Sequence, residues 1–255
     1  MLTVMSFNIR NNCDKGTESW EMRIVNLVPL VKNADPDLIG FQEVLHPQYL
    51  DLVQQFAEYD SVGIGRDDGI NEGERAAIFY KKDRFTLLES GDFWLSQTPN
   101  KPSFGWDAAC IRICTYAKLQ DNKTQKIFTH FNTHLDHAGQ TAMYEGAKLV
   151  REAVLKSDAP AFITGDFNVR EQSEPYKIMT QNGLADAKYA AKSSMSYGTF
   201  HGYKPREDMS SRSPIDYVFF MNGKFEVKSY EVLVNGSEGK YTSDHYPVVV
   251  KMYQV

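Results

Sequence analysis

The chain has 255 residues, 42% of them hydrophobic and 24% charged, with a formal net charge of −5. That length can fill the core of one large domain, and the acidic balance argues against a protein that coats long polyanions with massed Lys and Arg. Three cysteines, Cys13, Cys110 and Cys114, give no disulfide framework and no CxxC metal motif, and no apolar run is long enough to span a membrane.

The first strand is expected in "LTVMSFNI", one residue after Met1. No signal peptide precedes it, so the chain as it stands is expected in the cytoplasm, or exported if a leader was trimmed. "SWEMRIVNLVPLVKN" has apolar residues at helical spacing, with Ser19 as N-cap. "PDLIGFQEV" predicts a short buried strand ending on Glu43, and "HPQYLDLVQQFAEY" an amphipathic helix. "ERAAIFYKKDRFTLLESGDFWLS" predicts two paired strands around a "KKD" turn. "AACIRICTYAKL" and "QKIFTHFNTHL" are strands flanking the polar "QDNKTQ", with Cys110 and Cys114 expected as small buried side chains of the first. A helix is expected over residues 141–156, a strand in "APAFITGDFN", and a helix in "SEPYKIMTQNG" closed by Gly183. The late strands are "PIDYVFFMN", "KFEVKSYEVLV" and "HYPVVVKMYQV". Strands outnumber helices and the helices are interspersed. This pattern suggests a single α/β domain over residues 1–255, with two sheets packed face to face and helices outside.

The strands share an oddity at their tips. "SFNIR" carries Asn8, "GFQEV" Glu43, "NTHLDH" His134, "TGDFN" Asp166 and Asn168, "IDYVF" Asp216, and "SDHYPV" Asp244 and His245. Taken alone, each has a structural explanation: Asp166, Asn8 and Asp244 as turn residues, Glu43 as a helix-start charge, His134 as a hydrogen-bonded histidine. His130 and His137 are assigned no more than that. Polar groups at every tip are most simply explained by one shared site, because buried charges are rarely unpaired. Asn8, Glu43, Asp166, Asn168 and Asp244 all offer oxygens, which suits a hard cation, Mg²⁺ or Mn²⁺, and hence phosphoryl chemistry. Asp216 and His245 have the composition of a carboxylate-oriented imidazole. Such a histidine serves as a general base on water or as a holder of the phosphate.

These motifs, in this order, resemble the endonuclease/exonuclease/phosphatase superfamily, and the resemblance covers about residues 3–250. "GRDDG", "GERAAIFY", "FWLSQTP" and "GWDAACIR" suit a bacterial branch of it, and the "NTHLDH" form is nearer to the deadenylase-like members. The resemblance implies a four-layer α/β/β/α sandwich of the deoxyribonuclease I type with its site at one end of the sheets. It implies that Asn8, Glu43 and Asp244 lie at the metal, with Glu43 a direct ligand. Asp166 would align or deprotonate the attacking water or ligate a second metal, Asn168 would contact the phosphoryl group, His134 would hold the phosphate, and Asp216 would orient His245. One metal or two is left open.

The activity expected is metal-dependent hydrolysis of a phosphoester, either a small molecule or a nucleic-acid end, by a chain that is monomeric by default. The rival is a ligand-binding module without turnover on the same fold. Arg66, Arg75 and Arg112 are candidate cations for a second phosphate, although each taken singly is more often an ordinary ion-pair arginine. Trp106, among turn formers in "PSFGWDAA", is a candidate stacking surface, whereas Trp94 suits the core. His201 and Tyr203 are candidates to line the pocket from the loop "GTFHGYKPRED".

Overall fold

The computed structural model describes residues 1–236 and 240–255. In chain order its elements are β1 (Leu2–Asn8), α1 (Trp20–Ala34), β2 (Leu38–Val44), α2 (His46–Gln55), β3 (Tyr59–Val62), β4 (Arg75–Lys81), β5 (Phe85–Trp94), β6 (Ile113–Asp121) and β7 (Ile127–His134). They continue with α3 (Gln140–Lys156), β8 (Ala161–Asp166), α4 (Glu174–Thr180), β9 (Leu184–Asp186), α5 (Ala187–Ala190), β10 (Ser193–Met195), β11 (Asp216–Met221), β12 (Phe225–Val232) and β13 (Val248–Gln254).

The strands form a seven-stranded sheet ordered β10-β12-β13-β1-β2-β4-β3 and a six-stranded sheet ordered β5-β6-β7-β8-β11-β9. Each contains a parallel pair joined through a helix, β1–α1–β2 in one and β7–α3–β8 in the other. Such crossovers carry the chain back over one face, so the C-terminal ends of the paired strands point the same way.

Side-chain alternation sorts the residues into four layers. Leu2, Val4, Leu38 and Ile78 of the first sheet meet Leu119, Phe128, Phe162 and Val218 of the second between the sheets. On the outer face of the first sheet, Met5, Phe7, Ile39 and Phe41 pack beneath Trp20, Leu27 and Val31 of α1 and Leu52 of α2. On the outer face of the second, Phe131, Ile163 and Phe219 pack beneath Met143, Ala147, Val150 and Val154 of α3 and Met179 of α4. The α/β/β/α sandwich is therefore present.

One expected pairing is absent. β4 and β5 flank the "KKD" turn but do not pair: β4 lies between β2 and β3, and β5 at the edge of the other sheet. The chain crosses between sheets there. Buried Arg84 fixes the crossing through Asp37 Oδ2 at 2.6 Å and Asp121 Oδ2 at 3.0 Å. Four further short elements, β3, β9, α5 and β10, have too few residues to show a period.

Towards one end the inter-sheet layer turns polar. Gln42 Nε2 donates to Asn132 Oδ1 at 2.7 Å, and Thr164 Oγ1 donates to the same oxygen at 2.9 Å. Asn132 Nδ2 donates to the carbonyls of Phe41 and Ala77 at 2.8 and 3.0 Å. Gly40 makes room for this lock, since a Cβ there would lie 2.0 Å from Thr164 Oγ1 and 2.5 Å from Asn132 Oδ1. His130, against Thr164 Oγ1 at 2.8 Å, is kept neutral by burial, with its pKa lowered to about 3.

A Gly40→Ala substitution should therefore force the sheets apart and lower unfolding free energy by about 3 kcal/mol. Urea titration measures this. A loss below about 1 kcal/mol would mean that the lock yields without consequence.

Candidate functional site

The polar end of the sandwich opens into a cleft of about 530 Å³, lined among others by Glu43, Asp166, Asn168, His134, Asp244 and His245. Strand register brings these groups together. β8 lies between β7 and β11, so Asp166 faces His134 on one side and Asp216 on the other. In the other sheet Asn8 lies beside Gln42, one residue before Glu43.

Asp166 is at the centre and almost wholly buried. Its Oδ2 accepts from Asn8 Nδ2 at 2.9 Å, and its Oδ1 accepts the backbone N–H of Asn168 at 2.9 Å. The second bond is a turn contact, so Asp166 terminates its strand and faces the cleft at once. Burial, and then the nearby charge of Asp216, raise its pKa to about 7. His245 Nδ1 bonds Asp216 Oδ2 at 2.8 Å, while its Nε2 lies 3.7 Å from Asp166 Oδ2. Burial opposes a charge on His245, but the carboxylates of Asp216 and Asp166 outweigh it and hold the pKa well above the usual value.

His134 differs from His245. Burial, aided by the charges of Arg112 and Arg66, keeps its ring neutral. Asn168 Nδ2 donates to His134 Nε2 at 2.9 Å and to Leu135 O at 3.0 Å. The proton of His134 therefore sits on Nδ1.

Asn8, expected at the metal, turns its amide nitrogen towards two carboxyl groups. Its Nδ2 bridges Glu43 Oε1 at 3.0 Å and Asp166, and its Oδ1 accepts from Arg10 N at 2.9 Å. The amide nitrogen thus bridges the Glu43 and Asp166 carboxyl groups and fixes their spacing. Glu43 sits where the pairing of β2 with β4 shifts between Phe41 and Val44, with φ 62°. Asn168 and Arg10 also have positive φ, 52° and 57°. Left-handed backbone at three non-glycine site positions marks local strain that the surrounding sandwich holds.

Of the candidate substrate residues, Arg66 and Arg112 line the cleft. Arg75 does not; its guanidinium lies over Tyr49 and bonds His46, Ile70 O and Asn71, which makes it a structural arginine. Trp106 is half-buried and outside the lining residues. His201 lies behind the cleft, stacked 4.2 Å from Tyr246 and 4.9 Å from Tyr241, while its neighbour Phe200 takes the lining position. Tyr203 bonds Asp14, and Trp94 is a core residue whose Nε1 holds Arg66 O at 2.7 Å. Sequence reasoning missed Arg10, Asn11, Glu74, Cys110, His137, Phe200 and Ile215 as lining residues. It also missed Arg23, a fully buried cation whose guanidinium ties the carbonyls of Glu18, Ile9, Arg10 and Asn11. A lone arginine at helical spacing with Trp20, Leu27 and Val31 was the available signal.

The family model described as "Endonuclease/Exonuclease/phosphatase family" matches residues 5–245. The chain belongs to this family. A mannosyl-6-phosphatase of Bacteroides thetaiotaomicron is 36% identical, with a TM-score of 0.90 and coverage of 99% of this chain and 100% of that one. A family member from Bacteroides vulgatus is also 36% identical, with a TM-score of 0.93 over 100% of this chain and 99% of that one. Nocturnin of Drosophila melanogaster is 24% identical over 93% of this chain. The chain spans 42 to 60% of the length of the curated relatives it matches. No helix among the described residues is long and apolar enough to cross a membrane.

The elevated pKa of Asp166 predicts a stability cost. The native state keeps this proton up to about pH 7, whereas an unfolded aspartate releases it near 4. Ionisation thus removes stability as pH rises through that window, at about 1.4 kcal/mol per pH unit. Asp166→Asn, measured by thermal melts in EDTA, should be more stable than the parent at pH 8, with the gap closing towards pH 4. A constant gap would show that the carboxylate titrates as it does in water.

Proposed function

We propose that the chain is a divalent-metal-dependent phosphatase for a compact phosphoester, with sugar phosphates the favoured class. The observation that carries this reading is the convergence of Glu43, Asp166 and Asp244 with the Asp216–His245 pair on one arginine-lined cleft. The cleft volume of about 530 Å³ suits a small molecule. The likeness to a mannosyl-6-phosphatase over essentially the whole chain supports the choice of alcohol.

The donor set fits a hard cation. Glu43 and Asp244 present carboxylates to the same side of the cleft, and Arg10 lies only loosely between them, 3.8 Å from Glu43 and 3.9 Å from Asp244. Glu43 and Asp244 would hold Mg²⁺ or Mn²⁺, with Asp166 as the neighbouring carboxylate. When bound, such an ion supplies Lewis-acid polarisation of the phosphoryl oxygen. Among the described residues two groups have metal-ligand spacing, Asp166 with Asp216 and His245 beside this set, and Cys110 with Asp136 and His137, of which the second is the poorer choice. Asp136 already accepts the backbone N–H groups of Ala109, Cys110, Ala138 and Gly139.

In this reading Asp166 orients water and takes its proton as the water oxygen bonds to phosphorus. The ester P–O bond breaks, and its electron pair leaves on the alcohol oxygen, which is protonated by solvent. Imidazolium His245, held by Asp216, donates from Nε2 to the phosphoryl oxygen whose charge grows. Neutral His134 and Asn168 border the same space and orient the phosphoryl group.

A second reading, action on a nucleic-acid end, draws on Phe200. Its ring is 48% exposed at the cleft and 5.0 Å from His245, a place where a base could stack.

A panel of hexose 6-phosphate, p-nitrophenyl phosphate, bis-p-nitrophenyl phosphate and single-stranded DNA and RNA, with Mg²⁺, Mn²⁺ or EDTA, separates the two. Metal-dependent release of phosphate from the hexose phosphate is expected, and Glu43→Gln and Asp166→Asn should each reduce kcat/KM by about a thousandfold. Preferential cleavage of the single strands would favour the second reading. Full activity in both variants would defeat the site assignment.

A further inference from the structure

Three arginines line the cleft: Arg10, Arg66 and Arg112. Arg10 is committed to Asp14 through Nε at 3.0 Å and Nη2 at 3.3 Å. Arg66 is committed to Glu74 through Nη1. Arg112 is different. It is 5% exposed, and its Nη2 meets His137 Nδ1 at 3.0 Å. Its nearest carboxylate, Asp136, lies 3.6 Å from Nε and is already occupied by four backbone N–H groups. Nε and Nη1 of Arg112 are buried without a partner, as are Nε of Arg66, Nδ1 of His134, and Nε and Nη1 of Arg75.

Four of these donors, on Arg66, Arg112 and His134, belong to residues that line the cleft, and none is within hydrogen-bond reach of an acceptor. With Glu43, Glu74 and Arg75, these residues also border a void of about 10 Å³, room for one water at most. One water accepts two hydrogen bonds, so it cannot satisfy four donors. Buried polar groups are nearly always paired, and a guanidinium that lines the cleft with free N–H groups lacks a protein partner for them. It is a good receptor for an anion whose oxygens form the missing bonds, since guanidinium and phosphate geometries match in a fork. His134 places this group next to the reacting centre, its Nε2 being 3.5 Å from Asp166 Oδ2.

We propose that Arg112, with Arg66 beside it, is the selectivity residue that receives the second negative charge of a phosphomonoester dianion. A diester carries one charge on its phosphate and a monoester two at neutral pH. A guanidinium whose carboxylate contact is limited to the 3.6 Å approach to Asp136, with Nε and Nη1 left over, therefore favours the monoester. The inference rests on the phosphoester reading of the same cleft and narrows it to a class of ester. It gives the arginines a different task from contact with a second phosphate.

The test compares p-nitrophenyl phosphate with bis-p-nitrophenyl phosphate in the parent, Arg112→Gln and Arg112→Lys, with thermal melts of each. In Arg112→Gln both rates should fall, the monoester rate by at least about tenfold more than the diester rate, and Arg112→Lys should recover part of that ratio. A second measurement needs no variant: dianionic inorganic phosphate should inhibit the parent at least about tenfold more tightly than monoanionic dimethyl phosphate. Equal falls on both esters, or equal inhibition by both anions, would make Arg112 a structural tie between Asp136 and His137 and overturn the proposal. A parent that hydrolyses neither ester while binding phosphate would instead defeat the phosphoester reading beneath it.

Discussion

The polar lock between the sheets, in which Gln42, Asn132 and Thr164 meet over Gly40, is the constraint on which the site depends. Apolar layers slide and repack at modest cost, because dispersion and burial are not directional. A hydrogen-bonded network fixes one register, since each displaced group would be buried unsatisfied. This one sits a single step behind the cleft residues on the same strands. Thr164 and Asp166 are successive inward residues of β8, Asn132 and His134 of β7, and Glu43 directly follows Gln42 on β2. The distance between the Glu43 and Asp166 carboxylates is thus set by side chains that never reach the cleft.

The inward faces of the central strands follow a gradient. β1 runs Val4, Ser6, Asn8, and β8 runs Phe162, Thr164, Asp166, while β7 runs Phe128, His130, Asn132, His134. Each starts apolar, passes through a neutral polar residue and ends on a functional group. The gradient eases the burial problem, because charged tips rest on hydrogen-bonding neighbours rather than on hydrocarbon. It also explains how Asp166 stays buried with its pKa raised to about 7 while His245 remains charged beside it. One cation lies between the carboxylates of Asp166 and Asp216, and Asn8 spans the gap to Glu43.

Much of this was legible in the chain. The crossover helices and most strands follow from period, and the polar residues at strand tips stood out because an apolar strand has no packing use for them. What stayed hidden had local reasons. "RAAIFYK" and "FTLLESGDFW" have the look of a hairpin, and only Arg84 with Asp37 and Asp121 shows that the chain changes sheets between them. Arg75 and Arg112 are both arginines beside strand residues. One packs on Tyr49 and His46 away from the cleft, the other lines the cleft, and nothing local distinguishes them. His201 and Phe200 are adjacent, and the isolated bridge between Phe200 and His245 decides which ring reaches the cleft.

The sequence by itself determined which strands and helices form and which residues stand at their ends, because period, turn chemistry and the oxygen-rich tips are properties of short segments. It also carried the family, since the order of those tips is linear information. The tertiary structure alone decided which tips share a carboxylate environment, which arginines line the cleft, and that Asn8 turns its amide hydrogens to Glu43 and Asp166. Those outcomes depend on partners brought together across two sheets, as Asn8 is with Asp166 from 158 residues away, and no local pattern encodes the charge a distant strand will supply.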